Sequence, residues 1–141
     1  MIAGLALANA KLGAVHGFAG PLGGMFPAPH GATCAVLLPH VMAINVGALN
    51  ARQPDSPALR RYDEVAQILT GNPHAAATDG ADWVLRLCAE LRLPPLGDYG
   101  LQEADFPMLI DKAARASSMQ GNPIRLTEEE MAEILKRALP I

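Results

Sequence analysis

The softer metal donors and proton carriers of this 141-residue chain are four histidines and two cysteines, and two of the histidines stand out by position. His16 and His30 bracket a stretch, residues 17–29, that is dense in glycine and proline. A site for iron or zinc needs borderline donors, usually neutral imidazoles with a carboxylate, gathered from separate elements. His16 near one helix end and His30 at the next helix start can converge if the intervening stretch folds back. By spacing alone the leading alternative is plainer, namely capping or core imidazoles bonded to backbone. His40 follows Pro39 inside an apolar run and reads as structural, while His74 follows a loop proline and reads as solvated. Cys34 and Cys88 fall within helical patterns and read as reduced, small core residues of a cytoplasmic protein.

Those donors must be positioned by helices. Half of the residues are hydrophobic but only 4% are aromatic, so the core has to come from Ala, Leu, Val, Ile and Met, a mixture that favours packed helices over sheet. One domain of this length can bury roughly two-thirds of its unfolded surface. Residues 2–15 are apolar on all sides with small residues interleaved, which predicts a central, closely packed helix; the stretch is too short to span a bilayer and lacks a basic leader. Residues 17–29 carry turn and loop chemistry, although 17–20 can extend the preceding helix as far as Pro21.

A helix is predicted from Gly31 to about Leu49 with a kink at Pro39, and another over 58–69 with Leu59, Tyr62, Val65, Ile68 and Leu69 on one side. Residues 79–91 form an amphipathic pattern capped by Thr78 or Asp79 and burying Trp83, Val84, Leu87, Cys88 and Leu91. Residues 102–116 follow as a helix, with Pro107 near its first turns, and 117–125 as a loop. Thr127 with Glu130 three residues on is a capping-box signature for a last helix over 128–139. The expectation is a single all-α domain over 1–141, a bundle of about six helices. The net charge of −3 and the scattered Lys and Arg leave no footprint for nucleic acid, and no membrane span is expected.

Order and spacing along the apolar core carry a resemblance. Val15-His16-Gly17-Phe18-Ala19, Pro21-Leu22-Gly23, Pro29-His30-Gly31 and Leu37-Leu38-Pro39-His40-Val41-Met42, closing on Asn45, resemble the metal-binding C-terminal helical domain of the iron-dependent (group III) alcohol dehydrogenases. That domain is similar to the helical part of dehydroquinate synthase. The resemblance implies that His16 and His30 are two metal ligands, and that an aspartate and a further histidine come from a helix preceding this region in family members. It also implies an NAD(P)-binding domain upstream. On this reading the chain is N-terminally truncated: it lacks two ligands and the nucleotide domain, and it contains no Gly-x-Gly-x-x-Gly. Family members usually place a histidine four residues after that of Val-His-Gly, near the nicotinamide; here that position is Gly20, which cannot relay a proton. The loop Ser118-Met119-Gln120-Gly121-Asn122-Pro123 corresponds to a family loop near the substrate pocket. Ser118 and Phe18 are therefore candidate pocket residues, beside the plainer readings of a turn whose shape Asn122 and Pro123 set and a core phenylalanine.

Two functions follow. One is the metal-binding half of an NAD(P)-dependent alcohol or aldehyde oxidoreductase, inactive without a chain supplying the rest, with Fe²⁺ or Zn²⁺ as the ion in a weak half site. The other is a non-enzymatic helical assembly or regulatory module derived from the same family. Loss of a neighbouring domain uncovers apolar surface, so a homo-oligomer formed through residues 2–15 is expected.

Overall fold

The most apolar long run in the chain becomes the element around which the others pack. His30–Arg52, here α2, is 23 residues long, and its buried residues, from Thr33 through Val36, Leu37, Val41 and Asn45 to Leu49, lie around its circumference rather than on one stripe. It touches α1 (Ala14–Met25), α3 (Pro57–Thr70), α4 (Ala77–Glu90) and α6 (Glu128–Ala138). By length and composition α2 could cross a membrane; more than half of its most apolar window is buried inside the bundle, as expected of a core helix. The computed structural model describes residues 12–140, and among these the chain forms six α-helices and three 3₁₀ turns, with no strand. The sixth helix to be named, α5, spans Phe106–Arg115. The expected all-α bundle is what forms.

The glycine-rich segment differs from expectation. Most of the predicted helix over 2–15 lies outside the described residues, as does the oligomer contact assigned to it. Leu12 and Gly13 are not helical; α1 begins at Ala14 and runs to Met25 through most of the segment predicted as loop, with Pro21 inside it, and only 26–29 remain non-helical. An interior proline costs about 3 kcal/mol. Ala14, Phe18 and Leu22, spaced by four, form the inward stripe, and complete burial of Phe18 and Leu22 contributes roughly 1.5–3 kcal/mol each. Packing therefore overrides local propensity. Gly17 favours close packing on that face: a Cβ there would stand 2.7 Å from Met119 Cε, which would have to swing aside, and 3.2 Å from Met119 Cβ, so glycine lets α1 settle tightly against the 3₁₀ turn Ser117–Gly121.

Other departures concern which side chains are covered. Val65 and Ile68, predicted inward, are exposed on α3, and Leu87 and Leu91 likewise at the end of α4. On α3 the inward position is taken by Ala66 and the partly buried Tyr62, because a small residue lets α3 and α4 approach closely. Helix α4 starts earlier than predicted, at Ala77, and neither Thr78 nor Asp79 is its N-cap; the Asp79 carboxylate instead accepts from the Ala76 N–H at 2.8 Å, while Asp63 accepts from Ala77 N–H. The predicted helix over 102–116 opens with a 3₁₀ turn, Glu103–Asp105, ahead of α5. The capping box of α6 forms as read: Glu130 N–H donates to Thr127 Oγ1 and Thr127 N–H to Glu130 Oε2.

One polar knot ties the core. Asn122 Nδ2 donates to Asn45 Oδ1 at 2.7 Å and to the Ile124 carbonyl at 2.8 Å, while Asn45 Nδ2 donates to Asn122 Oδ1 and to Tyr62 Oη, each at 3.1 Å. Asn122 Oδ1 also accepts from the N–H of Ala14, one of the donors that the first turn of α1 leaves unpaired. Burial pushes the Tyr62 hydroxyl pKa up, so it stays a neutral partner.

Asn122→Ala should cost about 2–4 kcal/mol, because a buried Asn45 amide loses partners worth about 1–3 kcal/mol apiece, and Asn122→Asp, which cannot donate, should also destabilise; urea midpoints measure both. His40 sits half-buried among α2, α4 and α6, where burial first and the Arg137 charge second lower its pKa. The unfolded chain then binds more protons than the folded one, so stability is lost as the pH falls through the ordinary imidazole range and the loss levels off below the depressed folded value. In His40→Gln the dependence of the urea midpoint on pH over that window should be shallower.

Candidate metal site

His16 lies in the first turn of α1 and His30 is the first residue of α2. Between them α1 advances about 13 Å from His16 to its end, at 1.5 Å per residue. The link of Phe26, Pro27, Ala28 and Pro29 is extended, with Phe26 at φ −133°, ψ 152° and Pro29 at φ −61°, ψ 129°, and four such residues retrace a similar distance at about 3.3 Å each. Prolines hold the link open in this form, since each also drives the residue before it out of the helical region. The outcome is convergence: the two imidazole centroids are 5.3 Å apart with planes tilted by 54°.

A third donor joins them. Cys34, one turn along α2 from His30 and so on the same face, places Sγ 3.5 Å from His30 Nε2 and 3.9 Å from His16 Nε2. The three donor atoms all lie within 4.8 Å of one another. His16 and Cys34 are half-buried and His30 is exposed; burial pushes the Cys34 thiol pKa up. For a tetrahedral ion with metal–nitrogen and metal–sulfur bonds near 2.0 and 2.3 Å, nitrogen and sulfur ligands stand about 3.5 Å apart. The donor types and spacing fit a borderline divalent ion.

The cluster opens onto a groove of 680 Å³ whose wall includes His16, Cys34, Leu38, Met42, Asn45 and Tyr62. Phe18 is not on that wall; it is 0% exposed and belongs to the main core. Ser118 is half-buried in the 3₁₀ turn Ser117–Gly121 and does not line the groove, whereas Gly121, Asn122 and Pro123 of the same loop do. His40 and the exposed His74 are not brought to the cluster. Gly20, one turn after His16, is exposed, and a Cβ on it would meet nothing within 4 Å. Sequence reasoning assigned Cys34 to the core and gave Asn45 no role. The available signal was the four-residue spacing of His30 and Cys34 at a helix start, which puts both side chains on one face.

A family model described as Fe-containing alcohol dehydrogenase family, C-terminal, matches residues 1–139. The chain is 36% identical over 144 residues to the 1,3-propanediol dehydrogenase of Citrobacter freundii, covering 98% of this chain and 35% of that protein. It is 37% identical to alcohol dehydrogenase 4 of Schizosaccharomyces pombe, covering 98% of this chain and 31% of that one. The solved structure of an alcohol dehydrogenase from Oenococcus oeni superposes with a TM-score of 0.80 at 32% identity, over 98% of this chain and 35% of that chain. The chain thus spans about a third of the length of the relatives it matches.

Because Gly20 is an exposed glycine within α1 with open space at its Cβ, Gly20→Ala should raise stability by roughly 0.5–1 kcal/mol. The urea midpoint should rise without a change in slope.

Proposed function

The chain belongs to the iron-containing alcohol dehydrogenase family, and from that premise we propose that it is the metal-binding helical part of an NAD(P)-dependent alcohol or aldehyde oxidoreductase. The observation that carries the proposal is the meeting of His16 and His30 at 5.3 Å between centroids, the two residues to which the resemblance assigns metal-ligand roles. Fe²⁺ or Zn²⁺ is the ion such donors would hold, and when bound it would polarise an alcohol oxygen while hydride leaves for the nicotinamide.

This chain's own residues do the positioning. The first turn of α1 presents one imidazole and the first turn of α2 the other, and the extended proline link sets their separation. Leu38 and Met42 give the groove beside His16 an apolar wall. Gly20 leaves no side chain one turn from His16, so no proton relay passes through that position. Two imidazoles do not complete a coordination shell; the remaining ligands are assigned to the helix that precedes this region in family members and the dinucleotide site to a nucleotide-binding domain, in the same polypeptide or a partner chain. The free thiols of Cys34 and Cys88 favour a reducing, cytoplasmic setting. The non-enzymatic reading as an assembly module has no observation of its own in its favour.

After chelation, the 141-residue chain should bind Zn²⁺ or Fe²⁺ in a calorimetric titration, His16→Ala and His30→Ala should each weaken binding at least about tenfold, and the chain alone should not oxidise alcohols with NAD⁺ or NADP⁺. Binding that both substitutions leave untouched would overturn the assignment.

A further inference from the structure

The two thiols of this bundle are in different positions. Cys88 Sγ donates to the Ala35 carbonyl at 3.4 Å, as a structural thiol does. Cys34 Sγ turns instead toward two imidazole nitrogens, at 3.5 and 3.9 Å, from a half-buried place on the groove wall. The shorter separation already equals the nitrogen–sulfur edge of a tetrahedral site, about 3.5 Å, and the longer one exceeds it by a few tenths of an ångström. A side-chain rotation of His16 supplies that difference. The donors sit in the opening turns of α1 and α2, and a four-residue link joins the end of α1 to the start of α2, so their relative placement is set by the fold and not by long flexible chains.

We propose that Cys34 is a third ligand beside His16 and His30, giving this chain a His₂Cys face that prefers zinc to iron. The proposal rests on the metal-site reading above and extends it, because the donors that the resemblance implies are imidazoles and a carboxylate. On binding, Sγ forms a bond to the ion and its proton passes to solvent. A thiolate in the donor set shifts selectivity toward softer ions, and a three-donor face holds an ion without waiting for ligands from elsewhere. The fourth position stays open to water or to another group.

The test uses the reduced 141-residue chain titrated with Co²⁺ as a spectroscopic probe, followed by displacement with Zn²⁺. The wild-type chain should develop a thiolate-to-cobalt charge-transfer band in the near ultraviolet. Cys34→Ser should lose the band and bind Zn²⁺ at least about tenfold more weakly, Cys34→His should lose the band yet keep the affinity, and Cys88→Ser should keep both. Equal Zn²⁺ affinity in wild type and Cys34→Ser, or a band that vanishes only in Cys88→Ser, overturns the role of Cys34 and leaves the paired histidines standing. Failure of the wild-type chain to bind either ion overturns both.

Discussion

Asn45 and Asn122 lie 77 residues apart in sequence and exchange hydrogen bonds side chain to side chain. Asn45 is 1% exposed, so its amide cannot turn to water when Asn122 is lost. Three elements depend on this pair. It fixes α2 against the loop after α5, it anchors the hydroxyl of Tyr62 on α3, and through the Ala14 N–H it sets where α1 begins. Reciprocal amides specify one arrangement, because each oxygen and each N–H has a designated partner.

The placement of His16 follows from that anchor. His16 is two residues beyond Ala14, so the bond from Asn122 locates the first imidazole relative to α2, where the second resides. Gly17 lets α1 press on Met119 from the next position. The extended link through Pro27 and Pro29 closes the triangle. A donor cluster at coordination spacing thus arises on a scaffold whose rigidity is supplied well away from the donors, which is how metal centres keep their geometry.

How much was legible depended on the range of the interactions involved. The capping box of Thr127 and Glu130 was readable because its partners are three residues apart, and the helices over 58–69 and 79–91 were readable from apolar periodicity. Their faces were only partly readable. Val65, Ile68, Leu87 and Leu91 fit the pattern yet stay exposed, since periodicity says which residues share a stripe and not whether a neighbour covers its edge. The continuation of α1 from Pro21 on was not readable as helix, because its stability comes from Leu22, like Phe18 before it, meeting other elements and not from its own propensities.

The sequence by itself determined the helical class, the family and the pair of histidines worth watching, because composition, periodicity and motif spacing are properties of the chain read in order. Only the tertiary structure decided that α2 is the element the other described helices pack around, that a thiol lies beside the imidazole pair, and that Gly20 faces open space. The reason is physical. A helix start and a helix turn separated by a returning link come together only when packing and buried hydrogen bonds set the angle and distance between elements, and no local stretch contains that information.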